Sequence, residues 1–147
     1  MREQLDVRET ILCAHRDPAV LPALREMLCA EGWELLVSDS GFDAVRLALQ
    51  HYPDVMLLDV ALRDLDGYGV RRAVAKLLHC GAPPAVFLCE GDAEDYVRAF
   101  FAGGAGCLTA PFTPERVVPV VRQVLAEPDE FCCGAAPVGT AVKASGE

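Results

Sequence analysis

In the stretch DVMLLDVALRDLDGYGV, residues 54–70, an apolar run from Val55 to Leu58 ends on a carboxylate, Asp59. A lone acid at the tip of a buried strand either does chemistry or marks a site that once did. Other apolar runs end on comparable groups. TILCAH leads into His15, Arg16 and Asp17; PAVFLC ends on Cys89, with Glu90 next; AGCLTA ends on Thr109 and Ala110. Each residue type has a chemical use and a plainer one. A histidine near an acid is suited to accept a phosphoryl group or serve as a base, so His15 has that use or a hydrogen-bonded place on a rim. Arg16 can pair with Asp59 as a fixed counter-ion, or point into solvent. Asp17 has the oxygens of a metal ligand, but Pro18 follows it directly and favours a helix N-cap. Cys89 offers a weak S–H donor or simply fills space.

Chemistry at these tips needs a frame that gathers them. After TILCAH (10–15), Val20, Leu21, Leu24, Met27 and Leu28 share one helix face, and Gly32 stops that helix. WELLVSD (33–39) is strand-like. Ser40-Gly41 opens a second helix with Ala44, Val45, Ala48 and Leu49 inward, ended by Pro53. DVMLLD (54–59) has the unbroken apolar pattern of a strand covered on both faces. The loop VALRDLDGYG leads to a third helix running to about His79, and PAVFLC (84–89) is a fourth strand. Asp92 is placed to cap a fourth helix, where Ala93, Tyr96, Val97, Phe100 and Phe101 hold helical spacing and the aromatics should pack on the sheet. AGCLTA (105–110) is a fifth strand. Thr113-Pro114-Glu115 starts a fifth helix with Val117, Val118, Val121, Val124 and Leu125 inward. Strands alternating with helices in this way imply a parallel α/β sheet with helices on both faces and right-handed crossovers. Such a sheet keeps its site at the carboxyl ends of its strands, where the four tips lie.

A chain of 147 residues, 52% apolar and 24% charged, suits one globular domain. A net charge of −9 argues against a nucleic-acid surface and against an anionic membrane. No run of about 18 apolar residues exists, and MREQLDVRET has no apolar leader segment, so the expected place is the cytoplasm. The seven cysteines form no C-x-x-C. Cys13, Cys29, Cys80, Cys89 and Cys107 are scattered, mostly through apolar patterns, and are expected to be free thiols acting as small hydrophobes. Cys132 and Cys133 are adjacent in a polar stretch and read as exposed thiols or a redox pair. Periodicity covers residues 8–127; residues 128–147 read as a flexible tail or linker.

Three stretches together, ILCAHRDPAV, LLDVALRDLDGYGV and GAGCLTAPFTPERV, resemble the response-regulator receiver domain, the phosphate-accepting module of two-component signalling. The resemblance spans roughly residues 8–127. It implies a flavodoxin-like, doubly wound sheet of five parallel strands in the order 2-1-3-4-5, with five helices. It places Asp59 at the phosphoacceptor position and Asp66-Gly67 in the loop after it. It sets Pro111-Phe112 in a turn whose preceding Pro bond the family usually keeps cis. It implies a histidine kinase or another signalling protein as partner. It also implies a homodimer through the face of the fourth helix, fifth strand and fifth helix.

The departures from the family pattern lie at the strand tips. His15 and Arg16 stand where the family usually has two adjacent acids that hold Mg²⁺. Cys89 replaces a Thr or Ser, Glu90 a small residue, Cys107 an aromatic switch residue, and Ala110 a lysine. Mg²⁺ takes hard oxygen ligands, and a guanidinium repels a dication, so no metal or other cofactor is expected. Asp59 and Arg16 balance in charge without one, and Glu90 is expected to join them. Phosphoryl transfer depends on positioning and charge neutralisation, and each lost electrostatic group costs about 3 kcal/mol of transition-state stabilisation.

The resulting expectation is a receiver that is not an enzyme and acts through protein contacts, with little or no phosphorylation at Asp59. The alternative is a working receiver phosphorylated there by a histidine kinase. A small enzyme or flavin binder on the same architecture needs a glycine-rich phosphate loop after the first strand, and HRDPA has no glycine. A redox sensor using Cys132 and Cys133 is the remaining alternative.

Overall fold

The computed structural model describes residues 8–127 except Glu90 and Asp92; the expected tail, with Cys132 and Cys133, lies outside the described residues, as does the Asp92 cap. In chain order the elements are β1 (Thr10–Ala14), α1 (Val20–Cys29), β2 (Glu34–Ser38), α2 (Gly41–His51), β3 (Val55–Asp59) and α3 (Gly67–Leu78). A single 3₁₀ turn (His79–Gly81) follows, then β4 (Ala85–Cys89), α4 (Ala93–Phe101), β5 (Gly106–Thr109) and α5 (Pro114–Ala126). The five strands form one parallel sheet in the order β2-β1-β3-β4-β5.

Period-2 alternation along the strands divides the core in two. Ile11, Cys13, Val55, Leu57, Val86 and Leu88 face α1 and α5, meeting Leu24, Leu28, Val117, Val121 and Val124. Leu12, Ala14, Met56, Leu58 and Phe87 face the other way, onto Ala44 and Ala48 of α2, Val70 and Val74 of α3, and Ala99 of α4. β3 and β4 are buried at every residue, which explains their unbroken apolar runs. Each fully buried Leu, Val or Phe contributes about 1.5–3 kcal/mol relative to exposure.

Four sequence expectations are corrected. α1 begins at Val20 with Ala19 at its N-cap, not at Asp17-Pro18. Asp17 instead closes the turn ahead of the helix: its Oδ1 accepts from the Ala19 amide at 2.9 Å and its carbonyl from the Val20 amide at 3.0 Å. Leu47, rather than Leu49, joins the α2 packing. Phe101, expected on the sheet, is 80% exposed, and Val97 is also exposed. The inward face of α4 is centred on Ala99, and Phe101 stands two residues, some 200°, around the helix from it. Cys29 is exposed rather than part of the core.

The start of α2 is fixed from another loop. Asp64 accepts from Ser40 Oγ (2.6 Å), the Gly41 amide (2.8 Å) and the Phe42 amide (3.2 Å), while Ser40 Oγ accepts from the Asp43 amide. A carboxylate at a helix N-terminus satisfies free donors and meets the positive end of the dipole. The Ser40 hydroxyl and then the backbone donors hold the Asp64 carboxyl well below its ordinary 3.8. A pKa lowered by folding gives stability that is present above the ordinary value and is lost as pH falls below it. Urea midpoints should therefore show Asp64→Asn less stable than the native chain at pH 7. The gap should narrow as pH falls from about 5 to about 2; a gap constant across that window would contradict this role.

Candidate functional site

The carboxyl ends of β1, β3 and β4 and the β5–α5 turn surround a cleft of about 520 Å³. At its floor is Asp59, the last residue of β3 and 1% exposed. Its oxygens are held by donors from two loops. Oδ2 accepts from the Arg16 backbone amide at 2.9 Å and from Arg16 Nη1 at 3.1 Å. Oδ1 accepts from the same Nη1 at 3.0 Å and from the Ala61 amide at 2.9 Å. One guanidinium nitrogen thus spans both oxygens, and Arg16 contributes main chain and side chain together. Gly67 lets α3 begin directly behind the site, since a Cβ there would fall 2.7 Å from the Asp59 carbonyl oxygen.

His15 lies beside this pair and is buried. Its Nδ1 accepts from the Asp17 amide at 3.0 Å. The same Nδ1 stands 3.7 Å from Asp59 Oδ2. The ring also meets Phe112 edge-on, with centroids 5.9 Å apart. Asp17 lines the cleft while its Oδ1 accepts from the Ala19 amide. Ala110 joins Pro111 through a cis peptide and brings no charge to the rim. Glu90 lies outside the described residues.

The cysteines depart most from expectation. Cys89 and Cys107 are joined by a disulfide, with Cα atoms 6.6 Å apart, so Cys89 has no S–H to donate and neither is a free thiol. Cys13 is a buried free thiol of the core, and burial pushes its pKa up to about 12, which keeps it protonated and inert. Two further arginines were not singled out by the sequence. Arg63 lines the cleft. Arg116, from α5, donates to the Thr109 carbonyl (2.9 Å), the Pro111 carbonyl (3.2 Å) and Thr109 Oγ1 (3.0 Å), bracing the turn that Ala110 begins. Nothing in the local pattern around Arg116 marks it; only the fold brings it to that turn.

A family model described as response regulator receiver domain matches residues 11–122. The chain belongs to the receiver family. The transcriptional regulatory protein KdpE of Mycobacterium tuberculosis is 34% identical over 102 residues, covering 69% of this chain and 44% of KdpE, so the chain spans less than half of that relative. Protein PilH of Pseudomonas aeruginosa is 32% identical over 117 residues, 79% of this chain and 97% of PilH. The structure of a putative response regulator from Chloroflexus aurantiacus superposes with a TM-score of 0.75 at 29% identity, over 82% of this chain and 99% of that one. A CheY-like receiver from Methanospirillum hungatei has a TM-score of 0.76 at 19% identity, covers 84% of this chain and 98% of that one, and shares the fold.

The divalent ion that such a domain implies does not fit the residues present in this receiver. Both Asp59 oxygens already accept two hydrogen bonds each, and His15 turns its lone pair to an amide. Among the described residues no group of three or more His, Cys, Asp or Glu is placed to hold a metal. A dication about 4 Å from the Arg16 guanidinium would be repelled by about 8 kcal/mol at an effective dielectric of ~20.

The Asp59 side chain is 2% exposed and that of Arg16 32% exposed, so the pair is worth less than a fully buried one but more than a surface one. Arg16→Ala should cost about 1–3 kcal/mol in urea unfolding, because it leaves a buried carboxylate without a counter-ion. In a double-mutant cycle with Asp59→Asn the losses should be less than additive; additive losses would show that the contact carries no energy.

Proposed function

We propose that this receiver is a protein-interaction module of two-component signalling in which Arg16, rather than a metal ion, neutralises the acceptor position, with little or no phosphorylation at Asp59. The observation that carries this reading is the fourfold hydrogen bonding of the Asp59 carboxylate by Arg16 and Ala61. An in-line phosphoryl acceptor needs a free oxygen and cations on the equatorial oxygens. Here the oxygens are occupied and Ala110 supplies no ammonium. The domain is assigned no catalytic turnover beyond, at most, slow self-phosphorylation, and no cofactor.

Its proposed partner is a histidine kinase or another signalling protein, met in the cytoplasm. A homodimer through α4, β5 and α5 is part of the same proposal, supported by the exposed Val97 and Phe101 on α4. With its net charge of −9, the domain is not assigned a nucleic-acid or membrane surface of its own.

A second reading keeps Asp59 as a working phosphoacceptor, supported by the intact acid and the open cleft above it. The two separate on incubation with beryllofluoride or acetyl phosphate and Mg²⁺, read by fluorine NMR and intact mass. The proposal expects no adduct on the native chain and expects Arg16→Asp with Ala110→Lys to gain one. A stable adduct at Asp59 of the native chain would overturn it.

A further inference from the structure

We infer that Cys89 and Cys107 form a reversible, peroxide-driven disulfide that staples the two ends of the α4 segment. β4 and β5 pair in parallel with Phe87 opposite Cys107 and Cys89 opposite Thr109, so the two cysteines are diagonal neighbours on one face of the sheet. Their Cα atoms are 6.6 Å apart, inside the span a disulfide bridges. Both side chains lie in the core on the α2, α3 and α4 side, 3% and 6% exposed, with Ala99 of α4 in the same cluster. Cys89 is the last residue of β4 and Cys107 lies early in β5, 18 residues on, and α4 is the helix between them. α4 is also the element that presents Val97 and Phe101 to solvent. The bond therefore bears on the mobility of that apolar surface.

Access sets the order of events. Cys89 lines the Asp59 cleft, which admits a molecule as small as hydrogen peroxide. The Cys89 sulfur gives an electron pair to one peroxide oxygen as its thiol proton leaves; the O–O bond breaks, a sulfenic acid forms on Cys89, and the other oxygen takes a proton and leaves as water. Cys107 then attacks the Cys89 sulfur; the S–S bond forms and a second water leaves. Two thiols are oxidised by two electrons, and one peroxide is reduced to two waters. A small dithiol reverses the step by exchange, ending as its own cyclic disulfide. This pair differs from the Cys132 and Cys133 pair that the sequence offers, and its chemistry does not depend on whether Asp59 accepts phosphate.

The test uses the full chain, first reduced by dithiothreitol and then treated with about one equivalent of hydrogen peroxide. Intact mass, peptide mapping and hydrogen exchange are followed. The expected results are a Cys89–Cys107 linked peptide, reversal by dithiothreitol, and α4 amides (93–101) that exchange about tenfold slower in the oxidised form, since stapling a segment raises the cost of opening it. A Cys132→Ser/Cys133→Ser variant should behave as the native chain, and Cys107→Ser should show no redox effect. Linkage elsewhere, no linkage at all, or equal α4 exchange in the two forms of the native chain would overturn the inference. The native-chain comparison stands even if Cys107→Ser fails to fold.

Discussion

The rim of this domain is organised by the contact of Arg16 with Asp59. A carboxylate at the end of a fully buried strand has to be neutralised and hydrogen-bonded where it stands. Arg16 does both, giving its amide and its guanidinium to the same group, and Ala61 supplies a further donor from the next loop. The carboxyl ends of β1 and β3 are thereby joined through one side chain. A surface arginine pair contributes little because water competes for it; here the acid is buried at the cleft floor and the cation is partly exposed.

The same kind of contact recurs around the rim. Asp64 gathers the first amides of α2, and Arg116 gathers the carbonyls of the β5–α5 turn. In each case a charged side chain from one segment satisfies backbone groups of another, which fixes the loops between the elements. In a receiver with a metal site a bound ion is a mobile component, present or absent with its concentration. A guanidinium on the same chain is always present, so on the proposed function the charge of the site does not follow the concentration of an ion.

The architecture was legible because VMLLD and AVFLC are short unbroken apolar runs, each preceded closely by proline, which suits strands covered on both sides, and because Gly32, Ser40 and Pro114 mark helix ends in the chain itself. The start of α1 was misplaced because Asp17-Pro18 satisfies the local rule for a cap, while the chain still has to cross Asp59 before it can coil. The Arg16 and Asp59 contact was foreseeable from charge: once both residues are assigned to strand tips, no other described cation reaches so close to that acid. The disulfide was not foreseeable from pattern. Whether Cys89 and Cys107 meet depends on the register of β4 against β5, set by a crossover through α4, and spacing along the chain says nothing about register. The Asp64 cap was hidden for a similar reason, its partner Ser40 being 24 positions away. Phe101 was misjudged because helical spacing defines a face but not which face meets the sheet.

The central claim is that the Arg16 guanidinium excludes a divalent ion from Asp59. Titration of the native chain with Mg²⁺, followed through the Arg16 and Ala61 amide resonances, addresses it directly, since both amides donate to the carboxylate a metal would have to ligate. Both resonances should stay in place up to about 10 mM, a concentration that would largely fill a site with a dissociation constant of ~1 mM. A saturable shift of both amides below that concentration would contradict the account.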